Sequence, residues 1–371
     1  MKRFFYLVFA TGSSIAALAY LLACFTPYIR PQSFWPMPFL ALGFPYIALF
    51  IVFLMICWFF IKRKVALLFL LLIIIGSKNI FSTIGLHPFS KQTNEKKIGC
   101  LRIMTWNVRG FDNPSEFSDS PHSVRQQMFQ YIEQTDPDVI CMQEFAEHKA
   151  TSLISTTTEL LDLGYNYFYR TDEIYFRQHW GIIKSGTAIF SKIPITNYGK
   201  QMYNDPSMPE NIAYIDVKMG NKPLRIFATH FKSLNLEAVL VDSSSRARYH
   251  YDSTFIYTAS KFEKLKTFPK DHAIESEMAK AYMGKSPFPY IFCGDLNSVP
   301  TSYPYHVMAN GLQDAFLQHG FGLGTTMDSL PATLRIDFLL VDKRIAIKNY
   351  VKNEIHLSDH FPQFIDVEWK E

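Results

Sequence analysis

Two long apolar stretches open the chain, and short apolar runs broken by polar turns fill the rest. Phe4–Phe25 carries no charged side chain, and neither does Met37–Phe60. Each exceeds the roughly 20 residues that a helix needs to cross the hydrocarbon core of a bilayer. A third apolar run, Val65–Gly76, is shorter. Extended through Ser77, Lys78 and Asn79 to Phe81 it reaches across, with the Lys78 ammonium drawn to the interface on its apolar stem. Residues 1–82 are therefore expected to form a membrane anchor of about three transmembrane helices. The first span is too long for a signal-peptide core and lacks a small-residue cleavage site before a polar start, so it reads as retained. The polar stretch His87–Lys97 makes residues 83–97 a linker. Beyond it, Leu101–Thr105, Asp138–Met142, Thr187–Phe190, Ala213–Lys218, Leu224–Thr229, Tyr290–Cys293 and Ile336–Val341 are rich in β-branched and aromatic residues and read as strands. His122–Gln134 reads as a helix ended by Asp136-Pro137. The mixture predicts an α+β domain over residues 98–371. Phe231–Pro289 is too long for a plain loop and is expected to carry one or two helices.

Charge sharpens the division. Residues 1–82 hold no Asp or Glu and seven of the 37 Lys and Arg residues, leaving 30 basic and all 33 acidic residues for the remainder. The net +4 thus divides into +7 and −3. Lys2 and Arg3 flank the first span, Lys62, Arg63 and Lys64 follow the second, and only Arg30 lies between. The positive-inside rule puts the N-terminus and the second loop in the cytoplasm, so three spans leave the large domain on the extracytoplasmic side. In a Gram-negative bacterium that would be the periplasm-facing side of the inner membrane. The five cysteines show neither zinc-ligand spacing nor a disulfide framework and read as core thiols.

Candidate chemistry sits at the ends of the predicted strands, where a rigid element hands over to a loop. Asn107 follows the first strand in Thr105-Trp106-Asn107-Val108. Glu144 closes the apolar run Asp138–Gln143, where a carboxylate must be solvated, paired or bound to a cation. His230 ends Ala228-Thr229-His230. Cys293-Gly294-Asp295-Leu296-Asn297 places a charged acceptor and a neutral amide two residues apart, on one side of an extended segment. Asp337 is embedded in an apolar strand and needs a cationic partner. Asp359-His360 sets a carboxylate beside an imidazole near the C-terminus.

Taken in order, the strings TWNVRGF, PDVICMQEF, GTAIFSKIPI, ATHFKS, CGDLNSVP, RIDFLLVD and LSDHFP resemble the endonuclease/exonuclease/phosphatase superfamily over about Leu101–Val367. The resemblance implies a four-layer α/β/β/α sandwich that hydrolyses phosphate esters with a divalent cation, Mg²⁺ or alternatively Mn²⁺. It implies Glu144 and Asp359 as acidic residues at the metal, and Asn107 as their support. Asp295 and Asn297 would polarise the attacking water and hold the phosphate, and His230 would steady the phosphate or act as an acid. His360 would be the general base, oriented by Asp337. The 64 residues between His230 and Asp295 depart from the family pattern; Arg246, Arg248 and His250 within them are candidate substrate contacts, and His230 has no evident partner. Every matched position carries a competent side chain, which argues against a dead binding module. The favoured reading is a membrane-anchored phosphodiesterase acting on a lipid or small phosphodiester; the alternative is a nuclease. The −3 of residues 83–371 disfavours nucleic acid, whose binding draws on a positive surface.

Overall fold

The structure is a computed structural model and describes residues 1–90, 92–111, 123–149, 155–171, 174–178, 181–203, 210–233, 261–328 and 333–370. Arg246, Arg248 and His250 fall outside the described residues.

Helices α1 (Lys2–Cys24) and α2 (Met37–Ile61) are each long and apolar enough to cross a membrane. Helices α3 (Arg63–Ile75) and α4 (Ser77–Thr83) form a pair bent by 55° that passes the same test as one broken span. The break falls at Gly76, where an added Cβ would lie 1.9 Å from the Tyr20 hydroxyl oxygen, so a larger residue would displace the Tyr20 side chain. Tyr20, Phe44, Leu54, Trp58 and Phe69 make the apolar contact among these helices.

The rest is strand-rich. In chain order the strands are β1 (Gly85–Leu86), β2 (Leu101–Asn107), β3 (Val139–Lys149), β4 (Tyr167–Arg170), β5 (Ile174–Gln178), β6 (Gly181–Ser191) and β7 (Asn197–Met202). There follow β8 (Asn211–Met219), β9 (Lys222–His230), β10 (Tyr290–Asp295), β11 (Leu312–Asp314) and β12 (Phe321–Gly322). The chain closes with β13 (Asp337–Asp342), β14 (Ile345–Lys352) and β15 (Gln363–Trp369). One sheet runs β14-β15-β2-β3-β6-β4, with β5 also paired to β6; the other runs β11-β13-β10-β9-β8-β7. Each has one parallel pair at its centre, β2 with β3 and β9 with β10, and antiparallel neighbours outside it. The parallel strands therefore release Asn107, His230 and Asp295 at the same end of the sandwich at which the antiparallel β13 begins with Asp337.

The two sheets close on Ile103, Cys141, Ile215, Ile226, Cys293, Leu339 and Ile365, all at most 2% exposed. The buried stripes of both central strand pairs are thus spent on one sheet-to-sheet core, and Cys141 and Cys293 are free thiols within it. Met128, Phe129 and Ile132 of α5 (Val124–Thr135) and Leu160 of α6 (Thr156–Asp162) cover the outer face of the first sheet. Ala279 and Met283 of the helix Lys261–Met283 and Met308 of Tyr303–Ala309 cover the second. The result is the expected four-layer α/β/β/α arrangement. Residues just before β2 lie along the domain: Lys96 pairs with Asp138 at 2.7 Å, and Arg102 donates to the Asn94 carbonyl at 2.6 Å. Arg102 is nearly sealed from water and is matched by Asp366 through two hydrogen bonds of 2.6 and 2.9 Å, a geometry that offsets desolvation of both charges.

Candidate active site

Backbone geometry sets the first side chains. The β3/β6 register shifts between Met142 and Phe145, and Glu144 takes a φ of 53° there. Glu144 was expected at a strand end; β3 continues to Lys149, and the bulge turns the carboxylate out of the strand's alternation. Its Oε1 accepts from Asn107 Nδ2 at 3.1 Å. The same amide lies 3.4 Å from Asp295 Oδ2, so Asn107 joins the two sheets. Asn297 also has positive φ, 45°, with its backbone N–H on Asp295 Oδ1 at 2.7 Å and its amide on the Phe231 carbonyl at 2.9 Å.

His230 lies among these groups. Its Nε2 is 3.3 Å from Asn297 Nδ2 and 3.7 Å from both Glu144 Oε1 and Asp295 Oδ2. The missing partner of His230 is therefore a set of three side chains. Burial lowers its pKa, with the Glu144 charge opposing. Asp337 meets His360 Nδ1 at 2.8 Å, and His360 Nε2 faces Asp295 Oδ2 at 3.8 Å. Burial of the imidazole pushes its pKa down, but Asp337 and Asp295 outweigh this and hold it up at about 10. Burial and the Asp337 charge push the Asp295 carboxyl well above the usual range, with His360 opposing. Asp359 borders the same space, half-buried, with Arg109 Nε 3.7 Å away. All eight residues singled out in the sequence, Asn107, Glu144, His230, Asp295, Asn297, Asp337, Asp359 and His360, thus occupy one end of the sandwich.

Supporting groups escaped the sequence reading. Trp106 Nε1 donates to the His360 carbonyl at 2.9 Å, and Ser358 Oγ donates to the Asn107 carbonyl at 2.8 Å. The fully buried Thr326 Oγ1 accepts the backbone N–H of Ile336 and Asp337, at 3.0 and 3.2 Å, and fixes the entry to β13. His272 bridges the Lys232 carbonyl at 2.7 Å and Ser298 Oγ at 2.9 Å, tying the helix Lys261–Met283 to both loops that carry His230 and Asn297. Nothing local in the polar segment around His272 marks it; Ser358 and Trp106 lay inside the motifs, and adjacency to them is the available signal.

A family model described as the Endonuclease/Exonuclease/phosphatase family matches residues 104–360. The chain belongs to the endonuclease/exonuclease/phosphatase family. A second model, described as a domain of unknown function (DUF8431), matches residues 3–83. No curated protein matches the chain. An endonuclease/exonuclease/phosphatase from Beutenbergia cavernae superposes with a TM-score of 0.51 at 17% identity, covering 73% of this chain and 72% of that one. A humanized D. rerio TDP2 gives 0.50 at 16%, covering 73% and 99%. At these identities the likeness is one of fold. Family membership makes the chain a phosphoester hydrolase, and such enzymes are generally divalent-metal dependent.

The residues present fit a hard divalent cation. The candidate donors are carboxylate and amide oxygens, which suit Mg²⁺ better than softer ions. Asp295, Asp337 and His360 also offer ligand atoms within 4.8 Å of one another. That trio already satisfies itself, with the imidazole between two carboxylates. Glu144 and Asp359 are partly exposed carboxylates of the same site.

Proposed function

We propose that this endonuclease/exonuclease/phosphatase family member is a membrane-anchored, Mg²⁺-dependent phosphodiesterase, with Mn²⁺ able to replace Mg²⁺. The observation that carries the reading is the convergence of four carboxylates on one polar cluster, with only Arg109 and the His360 ring as facing cations among the described residues. That leaves an excess of acidic oxygen donors, which a divalent ion would balance.

Glu144 and Asp359 would hold the ion, with Asn107 keeping Glu144 in place. When bound, the ion supplies Lewis-acid stabilisation of charge on the phosphate oxygens. Asp295 would orient the attacking water, and its own position is fixed by the Asn297 backbone N–H. His360 Nε2, turned to Asp295, would exchange the proton, while Asp337 on Nδ1 orients the ring and stabilises its charged form. His230 and the Asn297 amide would hold a non-bridging phosphate oxygen. The ends of α1, α2 and α4 that meet the catalytic domain lie opposite Lys2, Arg3 and Lys62–Lys64 along their helices, which supports a domain outside the cytoplasm.

The test is hydrolysis by the full-length protein in detergent micelles. The panel comprises a soluble phosphodiester, a phosphomonoester, DNA, RNA and headgroup-bearing lipids, each with Mg²⁺ or with EDTA. Metal-dependent cleavage of diesters is expected. Absence of metal-dependent hydrolysis across the panel overturns the proposal, and cleavage confined to DNA or RNA replaces it with the nuclease reading.

A further inference from the structure

The anchor does more than tether. Thr26, just beyond α1, donates its hydroxyl to the Thr301 carbonyl at 2.6 Å, and the Thr301 hydroxyl donates to the Ala41 carbonyl of α2 at 2.7 Å. Ala41, Val299 and Ile336 share one buried apolar cluster, with Met327 and Leu334 packed against it. Arg335 donates to the Ser82 carbonyl of α4 at 2.7 Å, Arg30 pairs with Glu277 at 2.7 Å, and Tyr46 of α2 reaches Thr333 at 3.4 Å.

The catalytic-domain side of this contact is the active-site end. Val299 and Thr301 follow Asn297 in the same loop, and Ile336 directly precedes Asp337. Met327 bridges to His360 across the backbone. The loops that shape the catalytic cluster are thus the loops that sit on the helices.

Height above the bilayer follows from helix length. Counting roughly 20 residues back from Ile61 spans the hydrocarbon core and ends at Leu42. Ala41, whose carbonyl holds Thr301, then lies at the edge of the core, and Tyr46 points back toward the N-terminal end of α2, as helical side chains do. Asp337 is one peptide, ~3.8 Å between Cα atoms, from a residue packed on that edge. Lipid headgroups occupy the layer about 5–8 Å outside the core. A catalytic cluster at that height would share this layer with the lipid phosphates.

We infer that the anchor is a base that fixes the catalytic centre at headgroup height, and that the substrate is the phosphoester of a membrane lipid. The inference rests on the hydrolase reading above and narrows it. A docked site meets a substrate confined to the same thin layer, which raises its effective concentration without further contacts. A soluble macromolecule would have to reach the same site past the bilayer surface.

The test uses the full-length protein in proteoliposomes of phosphatidylethanolamine, phosphatidylglycerol and sphingomyelin. Headgroup release is followed by mass spectrometry, and bis(4-nitrophenyl) phosphate is the soluble comparison. Ala41→Trp overfills the contact and should lift the domain from the helices. The expected result is a loss of lipid cleavage of about tenfold or more, with soluble-diester cleavage within about twofold of wild type. Equal loss of both activities, or loss of neither, overturns the inference. So does a wild-type protein that cleaves the soluble diester and no lipid. Cleavage of neither substrate by wild type would instead remove the hydrolase reading itself. A second measurement is independent of activity and gentle on folding: benzoylphenylalanine at Tyr46 should photo-crosslink to the peptide containing Thr333–Ile336. Crosslinks to lipid alone would overturn the docking.

Discussion

Removing either member of the Asp337–His360 pair should remove most of what the other contributes to turnover. The pair is buried, at 3% and 5% exposure, with the carboxylate 2.8 Å from Nδ1. At an effective dielectric constant near 20, two unit charges at that distance attract by about 6 kcal/mol, which is a ceiling because desolvation opposes it. Couplings within such networks amount to about 0.5–3 kcal/mol, and the burial places this pair at about 2–3. Asp337→Asn keeps the shape, and it offers Nδ1 an amide without the charge that stabilises the imidazolium. His360→Ala removes the proton carrier outright. Each single change should cost on the order of 10²–10⁴ in rate, the range of acid–base groups. A coupling of about 2–3 kcal/mol then makes the double mutant roughly 30–150-fold faster than the product of the single losses. The assay is initial-rate hydrolysis of a soluble phosphodiester at saturating Mg²⁺, with all four proteins prepared in parallel. A double mutant whose loss equals the product of the single losses, within threefold, would refute the argument: Asp337 and His360 would then act independently.

Three further outcomes follow from the same geometry. Glu144→Gln keeps the Asn107 contact through its amide oxygen and loses the charge, so half-saturation by Mg²⁺ should rise about tenfold or more, with added Mg²⁺ recovering part of the rate; an unchanged Mg²⁺ titration would move the ion elsewhere. His272 is buried and neutral, with burial pushing its pKa down from 6.5 to about 4. A depressed histidine pKa contributes stability that is complete above about 6.5 and is lost as pH falls toward 4, worth roughly 3 kcal/mol across that window. Thermal melts in detergent at pH 7.5 and 4.5 should therefore diverge more for wild type than for His272→Gln, and parallel losses would remove the assignment. A reporter fused after Lys91 should be active on the extracytoplasmic side; activity confined to the cytoplasm would favour two spans.

Much of this was legible because strand-end chemistry is local. Asp138–Met142 and Leu224–Thr229 are dense in apolar and β-branched residues, and they fold as buried central strands in which alternation cannot show. The residues that matter follow those runs directly, so Asn107, His230 and Asp295 were findable by position. Asp337 was findable from its cost, since a carboxylate in an apolar strand demands a partner. The partner of His230 was not, because it is built from residues 65–86 positions away, and long-range pairing leaves no trace in a local window. The bulge at Glu144 was hidden for a related reason: it is a property of the β3/β6 register, set by two strands together.

The contact between anchor and domain was the least legible feature, and its chemistry explains why. It is made by Thr26, Ala41, Ser82, Val299 and Thr301, residues that are small and common, and largely through backbone carbonyls. A carbonyl is present at every position, so which one is used depends on close approach alone. Ala41 permits that approach because its side chain ends at Cβ; a larger residue there would hold Val299 and Ile336 off the helix. Arg335 shows how the contact reaches the site. It is fully buried, its guanidinium shared between Asp314 at 2.6 Å and the Ser82 carbonyl, two residues before Asp337 in the chain. Freeing the anchor would take the Ser82 carbonyl from that guanidinium, which keeps Asp314 and gains water in its place. The entry to β13 stays fixed by Thr326 Oγ1 on the Ile336 and Asp337 N–H, so the helices set where the strand that begins with Asp337 stands and not whether it forms.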